Sequence, residues 1–232
     1  MEQANLAISV ETLFKKDNTE GSQKLISMNV KGKKTKAKFN LSDKQKFVLV
    51  GTLLGDGSLA KRGKHYRLFI KHSANQYKLI EWKYNIFKNI VLMPLNYFIQ
   101  EVSGKDYRFI QFVTLTHQSF DEYRRIFYRG SRKIIPSNID KFFYHPLSLA
   151  VLLMDDGAND TFGVTLQTHS FRKNEVVLLS KSIKKKFNIT TSLRRNKGKW
   201  IIYFPKKEIK TLYKTIKRYL LPSSKYKFPV TP

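Results

Sequence analysis

Residues 49–57, LVGTLLGDG, and residues 149–157, LAVLLMDDG, share one design, an apolar run that ends in Asp-Gly. Such a run is typical of a buried helix that ends at a glycine in the left-handed C-cap conformation. The small residues Gly51, Gly55 and Ala150 would let two helix backbones approach each other closely. We therefore predict two glycine-capped helices that pack side by side and point in the same direction.

The last acid of each run, Asp56 or Asp156, would lie at the C-terminal end of its helix. In a parallel pair, the two carboxylates would come within a few ångströms of each other at the negative ends of two helix dipoles. They would repel each other without a cation, and hard cations such as Mg²⁺ prefer carboxylate, carbonyl and water oxygens. The pair therefore predicts a divalent-metal site shared by both helices.

Charge indicates a polyanionic partner. The 232 residues include 44 Lys and Arg against 17 Asp and Glu, which gives a formal net charge of +27. Because a protein that neutralises DNA phosphates releases counterions, we expect its affinity to depend strongly on salt. Basic charge does not by itself indicate an enzyme, since ribosomal proteins share it.

Composition excludes several other classes of protein. The chain contains no cysteine, which excludes disulfides, cysteine-ligated zinc and a thiol nucleophile. No run of about 18 uninterrupted apolar residues occurs, so we expect no membrane span. The first residues, MEQAN, lack the positive start of a secretory signal, and early acids argue against a transit peptide. A protein made inside an organelle needs neither signal, and we expect a mitochondrial or other organellar location.

The same order of elements follows each apolar run, which indicates an internal duplication. The starts of the two motif helices are marked by a capping-box pair, Ser42 with Gln45, and by Pro146. In the first half, the pattern predicts a strand at 66–71 and then a helix that begins at a second capping box, Ser73 with Gln76, and ends at about residue 87. A hairpin at 97–102 and 107–115 and a helix at 120–128 follow. The second half predicts a strand at 163–168, a helix with apolar residues from 176 to 187, a hairpin at 190–195 and 200–204, and a helix at 207–219.

We therefore predict an α+β fold of two pseudo-symmetric α-β-β-α-β-β-α repeats, packed through the paired motif helices. The first repeat covers residues 41–140 and the second covers residues 141–232. Residues 1–40 would form a flexible basic extension, whose tract at 31–38 (KGKKTKAK) either holds phosphates or is a solvated linker.

Both runs match, position for position, the nine-residue motif LAGLIDADG, and from about Leu41 onward the chain resembles the homing endonuclease family of that name. It is most similar to the monomeric, two-motif enzymes that are encoded in mitochondrial introns. The first copy departs from the consensus at Leu54 and Gly55, where the family has Asp and Ala, but it keeps Asp56.

The resemblance implies that Asp56 and Asp156 hold Mg²⁺, which Mn²⁺ can replace, with help from backbone oxygens at Gly55 and Asp155. We expect the Asp155 side chain to support the helix junction instead. Two lysines match basic residues near the active sites of related monomeric enzymes, Lys133 in KIIP and Lys227 in YKFP. One lysine in each half suits one cleavage on each DNA strand, although a phosphate clamp or surface charge is the alternative for either.

The antiparallel sheets would form a DNA-binding saddle, with one face of each sheet buried and the other open. Beta-ribbons fit the major groove, where arginine, lysine and glutamine read base edges. The predicted DNA-binding residues are Lys61, Arg62, Lys64, Arg67, Lys71, Lys105, Arg108, Gln111, Gln167, Arg194, Lys197 and Lys199. For any one of them, a solvated strand face is an equal alternative. We expect His72 and His169, which precede serines in the two halves, to be structural or to face DNA.

The resemblance implies a monomeric endonuclease that makes a metal-dependent double-strand break at a long, asymmetric DNA target and thereby starts intron mobility. Two alternatives share the fold: an intron RNA maturase, which would bind intron RNA, and a non-catalytic DNA-binding regulator. Both motifs keep their final acid, Asp56 or Asp156. This counts against the regulator, because a protein that needs no metal ion gains nothing from two carboxylates that repel each other.

Overall fold

The first motif helix begins at the capping box that the sequence predicts. In the computed structural model, which describes residues 39–91 and 93–229, the Ser42 hydroxyl accepts a hydrogen bond from the Gln45 backbone N–H at 3.2 Å. The Gln45 side chain accepts one from the Ser42 N–H at 3.0 Å. The predicted basic tract at 31–38 lies outside the described residues.

Both halves follow the predicted α-β-β-α-β-β-α order. The first half contains α1 (Asp43–Leu54), β1 (Ser58–Arg62), β2 (His65–Ser73), α2 (Tyr77–Phe87), β3 (Asn96–Val102), β4 (Lys105–Val113) and α3 (Asp121–Phe127). A short hairpin of β5 (Tyr128–Arg129) and β6 (Arg132–Lys133) leads towards the second half. The second half contains α4 (Pro146–Asp156), β7 (Gly157–Asp160), β8 (Gly163–Leu166), α5 (Lys173–Phe187), β9 (Ser192–Asn196), β10 (Lys199–Pro205) and α6 (Lys206–Ile216). The exact domain limits remain predictions.

Each half forms a four-stranded antiparallel sheet with the same topology. The strand orders are β1-β2-β4-β3 and β7-β8-β10-β9. Leu68 and Ile70 of β2, like Val164 and Leu166 of β8, are fully buried on the side of the sheet that faces the core. Side chains alternate along a strand, so each sheet keeps one face for the core and leaves the other open.

The two motif helices pack in parallel, as the small residues predict. The Ser148 hydroxyl of α4 donates to the Phe47 carbonyl of α1 at 2.8 Å. Further along, a Cβ placed on Gly51 would lie 2.7 Å from the Val151 Cβ and 2.5 Å from the Ser148 carbonyl oxygen. Contacts therefore advance in the same direction on both helices, and the backbones are too close for a side chain at Gly51.

The predicted left-handed glycine caps are wrong. Neither Gly57 nor Gly157 has a positive φ, and Gly157 is extended at φ −74° and ψ 145°. Both glycines are required for space instead, because a Cβ on Gly57 would lie 2.3 Å from the Thr52 methyl group. A Cβ on Gly157 would lie 2.3 Å from the Leu153 carbonyl oxygen. The backbone thus folds tightly over the last turn of each helix. It enters β7 directly at Gly157, whereas residues 55–57 separate α1 from β1.

The second predicted capping box is also wrong. The Ser73 hydroxyl accepts a hydrogen bond from the Asn75 N–H at 3.4 Å, but residues 74–76 form a 3-10 turn and α2 begins at Tyr77. The Gln76 side chain does not cap the helix, since it is hydrogen-bonded to the buried ring of His72 at 2.6 Å.

Across residues 39–91 and 93–229, no helix has the length and apolar content that crossing a membrane requires.

Candidate active site

The two motif acids lie at adjoining helix ends. A Cβ on Gly55 would lie 2.6 Å from a carboxylate oxygen of Asp155, and the Asp56 backbone N–H donates to the same carboxylate at 3.4 Å. Burial, followed by the charges of Asp56 and Asp155, raises the pKa of Asp156 to about 8. Three carboxylates thus share a small volume, and the arrangement favours an added cation. The Asp56 side chain is 38% exposed, so the site opens to solvent.

Lys133 reaches the end of α1 from strand β6. Its ammonium donates to the Gly57 carbonyl at 3.1 Å and makes a short contact with the Gly55 carbonyl. Burial lowers the pKa of Lys133, while the nearby Asp156 and Asp56 oppose that shift. The sequence-predicted lysine is therefore held beside the carboxylates.

Lys227 occupies the equivalent place at the end of α4. Its ammonium donates to the Met154 carbonyl at 2.6 Å and to the Asp155 carbonyl at 2.7 Å. Burial lowers its pKa as well, against the charges of Asp155 and Asp156. The backbone oxygens of Gly55 and Asp155, which we predicted as metal ligands, thus already accept lysine hydrogen bonds. A carbonyl oxygen has two lone pairs, so their role as ligands remains a prediction.

Lys83 was not anticipated from the sequence. It lies on α2, its side chain is fully buried, and its ammonium contacts both carboxylate oxygens of the fully buried Asp155 at 2.6 and 2.8 Å. Because the Asp155 carboxylate also accepts the Asp56 N–H, Lys83 neutralises the acid that supports the junction between the motif helices.

His72 links this ion pair to Asp56. Its Nε2 lies 3.3 Å from the Lys83 ammonium, and its Nδ1 lies 3.4 Å from a carboxylate oxygen of Asp56. Burial and the Lys83 charge lower the pKa of His72 to about 3, so the ring is neutral at physiological pH. With Nδ1–H donating to Gln76, Nε2 is free to accept from Lys83. His72 is therefore inside the fold and does not face DNA.

The sequence did contain a signal for Lys83. Leu79, Lys83 and Phe87 are spaced four residues apart, so all three lie on one face of α2, and all three are buried. A lysine within the apolar stripe of an amphipathic helix requires a buried partner. The sequence does not show which of the 17 acids provides it.

Two groups of side chains are candidates for holding a metal. Within the described residues, Asp56, His72 and Asp155 place one ligand atom each within 4.8 Å of one another. The Asp155 carboxylate is already paired with Lys83, which makes this group a poor cation site. Within residues 39–91 and 93–229, neither Asp56 nor Asp156 forms an ion pair with a lysine or arginine, and their oxygen donors fit a hard divalent cation.

The open face of the first sheet carries three predicted DNA-binding residues. Arg67 and Lys71 alternate along β2 with the buried Leu68 and Ile70, and Gln111 of β4 is directly opposite Lys71. The Lys71 ammonium lies 4.2 Å from the centre of the Phe109 ring. This face therefore combines cationic, amide and aromatic groups.

The open face of the second sheet carries three more. Gln167 continues β8 on the side of Thr165, to which its side chain donates at 3.1 Å. The Arg194 guanidinium lies over the Tyr203 ring, and Lys199 is on the same side of β10 as Tyr203. The remaining predicted residues, Lys61, Arg62, Lys64, Lys105 and Lys197, are exposed at the ends of hairpins.

Arg108 requires a correction. It lies in β4 on the same side as Ile110 and Phe112, which are buried against the helices. Strand alternation therefore directs it away from the open face that carries Lys71 and Gln111. The side chain is exposed because the hairpin extends beyond the core.

Comparisons with known proteins agree with this architecture. A family model described as the LAGLIDADG DNA endonuclease family matches residues 46–212. The probable intron-encoded endonuclease 1 of Wickerhamomyces canadensis is 30% identical over 197 residues, which cover 81% of this chain and 84% of that protein. The cytochrome b mRNA maturase bI2 of Debaryomyces hansenii is 30% identical over 188 residues, which cover 78% of this chain and 71% of that protein.

A solved structure extends the agreement to the whole fold. The homing endonuclease I-WcaI bound to its DNA recognition sequence is 30% identical, has a TM-score of 0.79, and covers 84% of this chain and 90% of its own. The predicted α+β fold of two repeats, with paired motif helices and a saddle of two antiparallel sheets, is confirmed. The chain belongs to the LAGLIDADG DNA endonuclease family.

Proposed function

We propose that this chain is a divalent-metal-dependent endonuclease that cuts both strands of a long DNA target and thereby starts intron mobility. The observation that carries the proposal is the meeting of Asp56 and Asp156 at two parallel helix ends, with a lysine on each end. Intron-encoded endonucleases among the relatives support it.

The chemistry follows from the groups at the site. Hydrolysis of a phosphodiester requires an activated water, stabilisation of negative charge on the phosphorus oxygens, and help for the departing 3′ oxygen. A bound Mg²⁺ or Mn²⁺ ion supplies Lewis acidity and lowers the pKa of water. Asp56 and Asp156 would hold the ion, and the ammonium groups of Lys133 and Lys227 would stabilise charge on the phosphates, one lysine for each strand.

Duplex DNA is the proposed partner. The net charge of +27 and the two open sheet faces suit it, and the I-WcaI structure contains a DNA recognition sequence. If each sheet reads about one helical turn, the target spans about 20 base pairs. Equivalent positions differ, since Lys71 of the first sheet corresponds to Gln167 of the second and Arg67 corresponds to Gly163, so we propose an asymmetric target bound by a monomer.

Cleavage of a plasmid library tests the proposal. Supercoiled plasmids that carry candidate intron-insertion sequences would be incubated with Mg²⁺ and the wild type, Asp56→Asn, Asp156→Asn, or the control Asp43→Asn, whose acid is 81% exposed on α1. We expect the wild type and the control to linearise one plasmid, and both site variants to bind it without cutting. A folded wild type that binds DNA but cuts nothing with Mg²⁺ or Mn²⁺ would overturn the endonuclease and leave the maturase or the non-catalytic regulator.

A second function is favoured by one observation. Two relatives are named cytochrome b mRNA maturases, from Debaryomyces hansenii and Saccharomyces cerevisiae. We therefore propose that the chain also binds its own intron RNA and acts in mitochondria. Splicing of that intron in vitro, with and without the protein, tests the RNA role, and unchanged splicing would contradict it. Immunolocalisation tests the compartment.

A further inference from the structure

The segment that carries Lys133 is a very short hairpin. Strands β5 and β6 have two residues each, and Gly130 turns between them at φ 59°. A two-residue ladder does not hold its own position. The first strand is held by the Tyr128 hydroxyl, which accepts the Leu59 N–H at 2.9 Å. The second strand, which presents Lys133, is held locally by the Ile134 N–H, which donates to the Phe127 carbonyl at 2.8 Å, and it has a further anchor outside the hairpin.

That anchor is provided by the other half of the molecule. Arg132 makes a two-pronged ion pair with Glu175 of α5, with both nitrogen–oxygen distances at 2.9 Å. Neighbouring side chains of a strand point to opposite faces, so Arg132 faces the second half while Lys133 faces the α1 end. Such a pair fixes orientation as well as distance.

Glu175 is itself held in place. Its side chain is 8% exposed, and one of its oxygens also accepts the Arg172 N–H at 2.8 Å in the first turn of α5. Lys227, by contrast, contacts the end of α4 within its own half. The two lysines therefore differ, because Lys133 sits next to an arginine that forms an ion pair with the other half, whereas Lys227 binds the helix end of its own half.

We propose that Arg132 and Glu175 are positioning residues for Lys133, so that cleavage of one DNA strand depends on how the second half is docked. The inference rests on the proposed endonuclease function. It requires that breaking the ion pair slows cleavage of the DNA strand on which Lys133 acts and leaves cleavage of the strand on which Lys227 acts unchanged.

Strand-resolved kinetics on an end-labelled target duplex test this. Glu175→Gln keeps an oxygen for the Arg172 N–H but removes the negative charge. Arg132→Gln removes the guanidinium group that makes both contacts with Glu175. We expect either variant to slow one strand by about 10- to 100-fold, the cost of a misplaced catalytic group, and to accumulate nicked DNA. The charge-swapped double variant Arg132→Glu with Glu175→Arg should restore part of the lost rate.

Lys185→Gln is the matched control. Lys185 also lies on α5 and pairs with Asp140 at 2.6 Å, and within the described residues no hydrogen bond joins this pair to Lys133. We expect this variant to cut both strands at wild-type rates. Equal slowing of both strands in Glu175→Gln and Arg132→Gln would show a general structural effect and overturn the inference, as would unchanged rates.

Hydrogen exchange separates this inference from the proposed function. In Glu175→Gln, residues 128–134 should exchange faster while residues 222–229 do not change, and this readout requires no cleavage. A wild type that cuts neither strand would refute the function alone. Unchanged exchange at 128–134 would refute the positioning role even in an active enzyme.

Discussion

At the residue scale, Asp156 should make stability depend on pH. Its pKa is raised to about 8 by burial and by the charges of Asp56 and Asp155, so the folded state favours the protonated form. The stability that this proton contributes is complete below the ordinary aspartate pKa, and it is lost as the pH rises towards 8. Without divalent ions, we expect the wild type to be less stable at pH 8 than at pH 6.

Thermal unfolding in EDTA checks this. Asp156→Asn should flatten the pH dependence and raise the Tm at pH 8 by at least about 2–4 °C, which corresponds to about 1 kcal/mol in a chain of this size. Mg²⁺ should stabilise the wild type more at pH 8 than at pH 6, because a smaller fraction of the Asp156 carboxyl groups then carries a proton that the ion must displace. If Asp156→Asn had the same pH profile as the wild type and as Asp43→Asn, folding would not raise the pKa of the Asp156 carboxyl.

The ion pair between Lys83 and Asp155 gives a second prediction at this scale. Both side chains are fully buried, so Lys83→Met would leave an unpaired carboxylate beside the motif junction. We expect a loss of about 3–5 kcal/mol in urea unfolding. Lys78→Met, on the exposed side of the same helix, should change stability little.

The double variant Lys83→Met with Asp155→Asn separates the charge from the packing. Removing both charges should recover most of the loss, because an uncompensated buried charge costs more than a missing ion pair. A double variant as unstable as Lys83→Met would indicate that the volume of the lysine stem matters more than its charge.

At the element scale, the motif helix pair depends on glycine. A Cβ on Gly51 would approach the Ser148 carbonyl oxygen to 2.5 Å, and the backbone of α4 cannot move away without disturbing its buried face. We expect Gly51→Ala to destabilise the fold by about 1–3 kcal/mol in urea, despite the better helix propensity of alanine. A stabilised Gly51→Ala would show that the two helices are more loosely packed.

The elements were largely predictable because their patterns are local. Ser42, Gln45 and Pro146 mark the helix starts, and alternation marks most of the strands, so most of the order could be read directly, although no segment was assigned to β1 or β7. The two acids and two lysines of the site were found through the motif and the resemblance. Contacts that join distant segments, such as Arg132 with Glu175, could not be predicted, since no spacing along the chain encodes them.

Conformation at the motif ends was also hard to predict. A glycine after a helix is commonly left-handed, but Gly57 and Gly157 serve close approach instead, which only the packed structure reveals. Gln76 shows the same limit, because a buried His72 takes the side chain that the pattern assigns to a helix cap. Local signals fail where a tertiary contact competes for the same group.

For the whole molecule, the open sheet faces should determine how DNA affinity depends on salt. Each phosphate contact that is lost reduces the slope of log K against log salt by about 0.9. Lys71 lies on the open face of the first sheet, while Arg108 of the same sheet points to the opposite side. We expect Lys71→Gln to weaken binding and flatten the slope by about 1, whereas Arg108→Gln, which also removes one positive charge, should leave the slope unchanged.

Fluorescence anisotropy of a labelled target duplex at several salt concentrations, with Ca²⁺ in place of Mg²⁺, would measure both slopes. Equal effects of the two variants would mean that the chain binds DNA through its overall charge of +27, and the proposed recognition by the saddle faces would then be wrong.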